Sequence, residues 1–161
     1  MDVFEAILER HSVRSYTGEK IPEDDLEKLL KAARDAPSAK NLQPWRLIVI
    51  TDRKRLSELV PICRNQGFIG DVGALLVGIT EDEKWSTVDL SIALDHISLA
   101  AVELGLGTCW IGAFHPEEMR KYLGVPDEFD ITMCMAVGYP SEPGESPVKK
   151  SLDELVHWES Y

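Results

Sequence analysis

Apolar residues recur at helical spacing at Val3, Phe4, Ile7 and Leu8, and again at Leu26, Leu29, Leu30 and Ala33, so two amphipathic helices are predicted before any strand. Pro22 opens the second. Its first turn holds Glu23, Asp24 and Asp25, and Lys28, Lys31 and Arg34 follow, an order that suits the helix dipole. The run Trp45–Thr51 then reads as a buried strand, and Asp52 can cap a short helix through about Val60. Ala74–Thr80 is a second buried strand. From about Ser86 to Leu104, Ile92, Ala93, Ile97, Ala100, Ala101 and Leu104 mark the longest helix, Ala-rich and able to pack closely at the centre of a fold, with Gly105 ending it. Gly107–Phe114 is a third strand or extended stretch, a short helix runs from Pro116 to just before Gly124, and Ile131–Gly138 is a fourth strand.

Strands mixed with helices in this way predict an α+β protein, because two leading helices and an irregular rhythm do not fit a doubly wound parallel sheet. No repeat, low-complexity tract or long linker divides the 161 residues, so a single domain spanning 1–161 is expected. Beyond Tyr139 the pattern changes. Pro140, Pro143 and Pro147 impose an extended course before the apolar residues Leu152, Leu155, Val156, Trp158 and Tyr161. Residues 139–161 are therefore expected to be a C-terminal arm that either folds back on its own body or, the favoured reading, lies across a partner subunit.

Charge alters the picture more than composition does. The net charge is −11, yet residues 1–80 balance 12 cations against 12 anions, whereas residues 81–161 carry 5 against 16. Such a surface disfavours nucleic acid and anionic membranes, and it makes the adjacent Lys149 and Lys150 conspicuous. The first residues lack the basic and apolar regions of a signal peptide, so a cytoplasmic protein is expected. Cys63, Cys109 and Cys134 are odd in number and far apart, which favours reduced thiols over a disulfide framework or zinc site. Cys109 has no neighbouring cation in sequence to activate it, His96 reads as a satisfied core residue, and His115 stands near a helix cap.

Three segments carry the candidate chemistry. In RHSVRSY, Arg10, Ser12 and Arg14 alternate, so on an extended chain they point to one side and can surround a phosphate; the competing reading is a solvated helix end. In APSAKNLQPW, Ser38, Asn41 and Gln43 offer donors and acceptors suited to a chain of hydroxyls, on a backbone held between Pro37 and Pro44; the competing reading is a capped turn. In GLGTCWIGAF, the small residues Gly112 and Ala113 let a ligand approach backbone amides. The glycines follow a helix and precede a strand, the reverse of a Rossmann fingerprint.

These segments in this order, followed by KKSLDEL at 149–155, resemble the FMN-dependent nitroreductase family along nearly the whole chain. The resemblance implies a three-layer α+β fold, its central and mostly antiparallel sheet flanked by helices, in a homodimer with two FMN at the interface. By that likeness Arg10 and Ser12 hold the FMN phosphate with Lys149 and Lys150, Arg14 reaches the pyrimidine edge, and His11 lines the same wall. Pro37, Ser38, Ala39 and Asn41 come from the other subunit. Trp110, Ile111, Gly112 and Ala113 lie along the isoalloxazine, with Asn65 or Gln66 close by. The implied activity is oxidation of NAD(P)H and reduction of a nitroaromatic, quinone or similar acceptor in alternation, with no side chain assigned as acid or base. The acidic C-terminal half leans towards NADH. Longer members place a helical excursion where only Glu81–Trp85 intervenes here, which leaves the acceptor open. A flavin carrier, sensor or flavin-modifying scaffold without turnover, and an interaction module without cofactor, are the alternatives.

Overall fold

The computed structural model describes residues 1–144 and 146–161. Helix α1, Val3–Glu9, starts on a capping box in which Asp2 accepts from the Glu5 amide and Glu5 accepts from the Asp2 amide. Helix α2, Glu23–Arg34, follows Pro22 and buries Leu29 and Ala33. Strand β1, Trp45–Ile50, leads to α3, Arg53–Ile62, capped by the Asp52 carboxylate on the Arg55 amide. Strand β2, Ala74–Thr80, precedes α4, Ser86–Glu103, after which come β3, Gly107–Ile111, α5, Pro116–Leu123, and β4, Asp130–Gly138. A four-residue helix, α6, Leu152–Leu155, lies in the tail.

The four strands form one antiparallel sheet in the order β1-β2-β4-β3. Alternation along the strands sends residues to two cores. Leu75, Val77, Cys109, Ile111, Cys134 and Ala136 pack with α3 and α5, while Leu76, Met135 and Val137 pack with α2 and α4. These are the three layers expected: α2 and α4, the sheet, then α3 and α5. Strand β2 is buried along its whole length because both of its faces are covered. Helix α4 buries Leu90, Ala93, Leu94, Ile97 and Ala101, the small residues bringing it close to the sheet.

Two expected boundaries move. Strand β3 stops at Ile111 rather than Phe114, since its partner β4 ends its pairing there at Cys134 and residues 112 and 113 are free to turn outwards. Helix α3 passes through Pro61, which sits in its last turn, where a missing amide costs the helix one bond rather than several. Two short 3-10 turns, Ala39–Asn41 and Gly67–Asp71, were not signalled by periodicity. Among the described residues no helix is long and apolar enough to cross a membrane.

Candidate functional site

The basic stretch leaves α1 in extended conformation at Arg10 and runs beside β3. Ser12 bridges Thr108 in parallel, and the Val13 amide donates to the Thr108 carbonyl at 2.9 Å. Pairing places Val13 inward and buried, with Ser12 and Arg14 outward and exposed, while Arg10 is half-buried. Tyr16 closes the segment inward, its buried hydroxyl donating to the Val13 carbonyl at 2.8 Å. The expected alternation of residues 12 and 14 on one side is thus present, supplied by β3 as a template.

The other end of the chain joins this segment. Thr17 N–H donates to Tyr139 O (3.0 Å) and Ser141 N–H to Ser15 O (3.1 Å), the Ser15 and Ser141 hydroxyls meet, and Ser146 Oγ donates to Leu8 O at 3.2 Å. Lys149 follows three residues later, and three residues of extended chain span at most about 10 Å. The tail thus starts beside α1, and Lys149 lies within that reach of Ser146, with Lys150 next to it and both exposed. A cleft of about 230 Å³ between the segments is lined by Ser12, Arg14, Ser15, Glu142 and Pro143. Behind it lies a cavity of about 450 Å³, lined by Arg10, Ser98, Val102, Leu106, Thr108 and Pro140.

His11 is half-buried and lines the same cleft as Ser12 and Arg14. Its Nδ1–H donates to the Glu9 carbonyl at 2.9 Å, and its Nε2 is buried against Gly144, without a hydrogen-bond partner among the described residues. The ring is engaged by its own chain. Cys109 differs from its sequence surroundings, because the fold brings the Arg14 charge near it. Burial outweighs that charge and pushes the thiol up from its ordinary value, so Cys109 is a core residue and not a nucleophile. His115 is the N-cap of α5, and His96 Nδ1–H donates to the Ala32 carbonyl, 3.3 Å away.

Beyond Trp110 and Ile111, which end β3, Gly112 and Ala113 emerge exposed. Gln66 links them to the α3 end, its amide nitrogen donating to Cys63 O at 2.9 Å and to Ala113 O at 3.1 Å. Asn65, beside it, has a positive φ of 59°. Residues 65, 66 and 113 thus meet at the end of β3, whose first residues carry the 10–14 segment, whereas Trp110 lines a groove with Val88, Ile92 and His96 of α4.

The segment 37–41 lies apart from residues 10–14, on the part of α4 that Trp110 also faces. It packs on the first turns of α4, where Pro37, Ser38 and Ala39 form an apolar groove of about 310 Å³ with Trp85, Val88 and Ile92. Its tie to α4 is Asp89, whose two carboxylate oxygens each lie 3.2 Å from the Ala39 amide. Ser98, which lines the Arg10 cavity, stands nine residues further along the same helix, about 14 Å at 1.5 Å per residue. Asp89 was not singled out from sequence; its one signal is an acidic residue in the first turn of a largely apolar helix.

The segment bearing Arg10, Ser12 and Arg14, the returning chain that joins it and the exposed Gly112–Ala113 corner thus lie along β3 of a three-layer antiparallel sheet. Residues 7–84 and 77–139 match the nitroreductase family, and the chain belongs to it. A relative from Archaeoglobus fulgidus, provisionally named NADH dehydrogenase/NAD(P)H nitroreductase, is 35% identical over 147 residues, 84% of each chain. An FMN reductase (NADPH) of Bacillus subtilis is 26% identical over 185 residues, covering 99% of this chain and 74% of its own. The solved structure of an FMN-dependent nitroreductase from Clostridium difficile superposes with a TM-score of 0.87 at 30% identity, covering 98% of this chain and 99% of that one. The chain is accordingly an oxidoreductase of the nitroreductase fold.

Proposed function

We propose that this chain is an NAD(P)H-dependent flavin oxidoreductase that works as a homodimer with FMN bound where two copies meet. The observation that carries this reading is the meeting of Arg10–Arg14 with the segment leading to Lys149 and Lys150, cations from opposite ends of the sequence in a protein of net charge −11. Concentrated positive charge within an acidic surface is suited to a phosphate. The donor set fits FMN: Arg10, Ser12, Lys149 and Lys150 hold the phosphate, and Arg14 meets the pyrimidine edge. Trp110, Ile111, Gly112, Ala113 and Asn65 lie along the ring, with Gly112 and Ala113 small enough to leave the approach open. Glu142 lines the same cleft as Arg14 and is exposed.

Pro37, Ser38, Ala39 and Asn41 complete the pocket of the other copy in this reading. Their distance from Arg10 along α4 supports it, since one chain leaves the two halves of the site apart. The bound flavin supplies hydride acceptance from NAD(P)H and its delivery to a nitroaromatic, quinone or similar acceptor, in alternation. The protein contributes binding and orientation, with Arg14 stabilising negative charge that develops on the bound ring. The 161 residues act as one domain, with 139–161 as its arm.

The pure protein is expected to be yellow or to turn yellow with added FMN, and to bleach within seconds of anaerobic mixing with NADH. Arg10→Ala with Lys149→Ala weakens FMN by several kcal/mol, since charge-assisted contacts are each worth about 1.5–3 kcal/mol. Flavin that binds without bleaching makes the protein a carrier or scaffold. A colourless protein that takes up no FMN, or unchanged retention in the double variant, overturns the site.

A further inference from the structure

The mechanism leaves one buried charge unused. Asp89, 3% exposed in the first turn of α4, has the Ala39 amide as its donor, 3.2 Å from each oxygen. A carboxylate has about four lone-pair sites and is costly to bury with so few partners, although a helix N-terminus favours its charge. The other walls around it, Pro37, Trp85, Val88 and Ile92, are apolar and give it nothing. For stability alone an apolar residue would serve this groove at least as well.

The segment it holds is unusual. Lys40, Asn41 and Gln43 have φ of 52°, 56° and 52°, three non-glycine residues in the left-handed region within four positions. Most of the bonds around them are internal: Asn41 N–H to Ser38 O (3.0 Å), Gln43 N–H to Ser38 Oγ (3.1 Å) and Gln43 Nε2–H to Asn41 O (2.9 Å). At its far end the turn is tied to β1, where the Trp45 amide donates to Gln43 O at 2.9 Å; among the described residues, the hydrogen bond that ties residues 38–41 to another element is the one from Ala39 to Asp89. Without it the Ser38–Asn41 end of the strained turn has no hydrogen bond to α4.

We infer that Asp89 is a positioning residue: it orients the 37–41 loop so that Ser38, Ala39 and Asn41 of one copy present themselves to the flavin held by the other. This rests on the proposal that the loop completes the partner's pocket. Asp89 touches neither cofactor nor substrate; it acts through the Ala39 amide.

The test uses the full-length protein with Asp89→Asn, Asp89→Ala and, as a probe of the loop itself, Asn41→Ala. Each variant is measured for FMN dissociation constant by flavin fluorescence, for the visible spectrum of bound flavin, and for thermal midpoint without flavin. Asp89→Ala is expected to bind FMN about 10- to 100-fold more weakly, with Asp89→Asn between it and the wild type because a carbonyl oxygen accepts without the charge. The bound-flavin spectrum shifts, and the apo midpoint stays within a few degrees because alanine suits the apolar groove. If Asn41→Ala weakens FMN and both Asp89 variants bind it normally, the inference fails while the dimer-shared pocket stands. If Asp89→Ala loses FMN only in step with a large fall in apo midpoint, the residue is structural and the inference also fails. If Asn41→Ala and Asp89→Ala both leave FMN unaffected, the loop is not at the flavin and both readings fall.

Discussion

A buried thiol at residue 63 and another at residue 134 lie close enough in the core to influence each other, and neither has a polar partner that would favour its ionised form. Burial pushes Cys63 from its ordinary 9.0 up to about 11, and Cys134 further in the same direction with Cys63 adding to the effect. Because the folded value is raised, the stabilising contribution is complete below pH 9, where both states keep the proton. It declines between about pH 9 and 11, as the unfolded chain ionises and the native one does not. The urea midpoint should therefore fall as pH rises from 8.5 to 10.5, and fall less steeply in Cys63→Ala, whatever that variant's starting stability. Equal slopes in the two proteins would remove Cys63 from the alkaline transition. Arg14 makes the converse point at Cys109: a nearby guanidinium does not create a reactive thiol when desolvation opposes it more strongly.

The elements explain why residues 10–16 hold their shape. Gly107 begins β3 where Val13 crosses it, and a Cβ there would lie 2.5 Å from Val13 Cγ2, 2.9 Å from Val13 Cβ and 3.0 Å from Pro140 Cγ. Glycine at 107 lets the basic segment and the C-terminal arm both close on the strand. Gly107→Ala is expected to displace them, costing about 1–3 kcal/mol as overpacking does and weakening FMN beyond the loss in stability. A thermal midpoint and FMN affinity both equal to wild type would show that the segment is not pressed against β3. This crossing also shows what was legible in sequence. Helices α2 and α4 and strands β1, β2 and β4 follow from apolar spacing within one or two residues, because burial imposes that spacing locally. The alternation of Ser12 and Arg14 was readable too, but the strand that enforces it stands some 95 residues away, and no local pattern announces it. Asp89 and the 3-10 turns depend on such distant contacts, and so escaped a reading along the chain.

At the scale of the whole molecule, the exposed large apolar residues lie at the two ends of the chain, apart from Leu42, Trp85 and Val88 around the 37–41 loop. In α1, Phe4 is 74% and Leu8 75% exposed; in the arm, Leu152 is 75% and Trp158 83% exposed. Helix α6 has a complete capping box, Ser151 with Glu154, yet four residues cannot hold a helix in water without a surface to pack on. Its own body does not provide that surface, because every described residue from 146 to 161 is exposed. In the proposed dimer a second copy provides it, and the bond from Ser146 to Leu8 shows that the arm leaves from beside α1, where Phe4 and Leu8 are also uncovered. The triple variant Leu152→Ser, Leu155→Ser, Trp158→Ser removes the adhesive side chains and keeps Lys149 and Lys150, so a loss of flavin cannot be assigned to missing cations. Light scattering after size exclusion should show this variant moving from the mass of two chains towards one. FMN affinity should fall with it, since a lone chain keeps Arg10–Arg14 but lacks the partner's 37–41 loop. Raising protein concentration should restore both together, because the pocket and the dimer are one equilibrium. A variant that stays dimeric would place the interface elsewhere, and one that becomes monomeric while holding FMN as tightly as before would place the whole flavin site within a single chain.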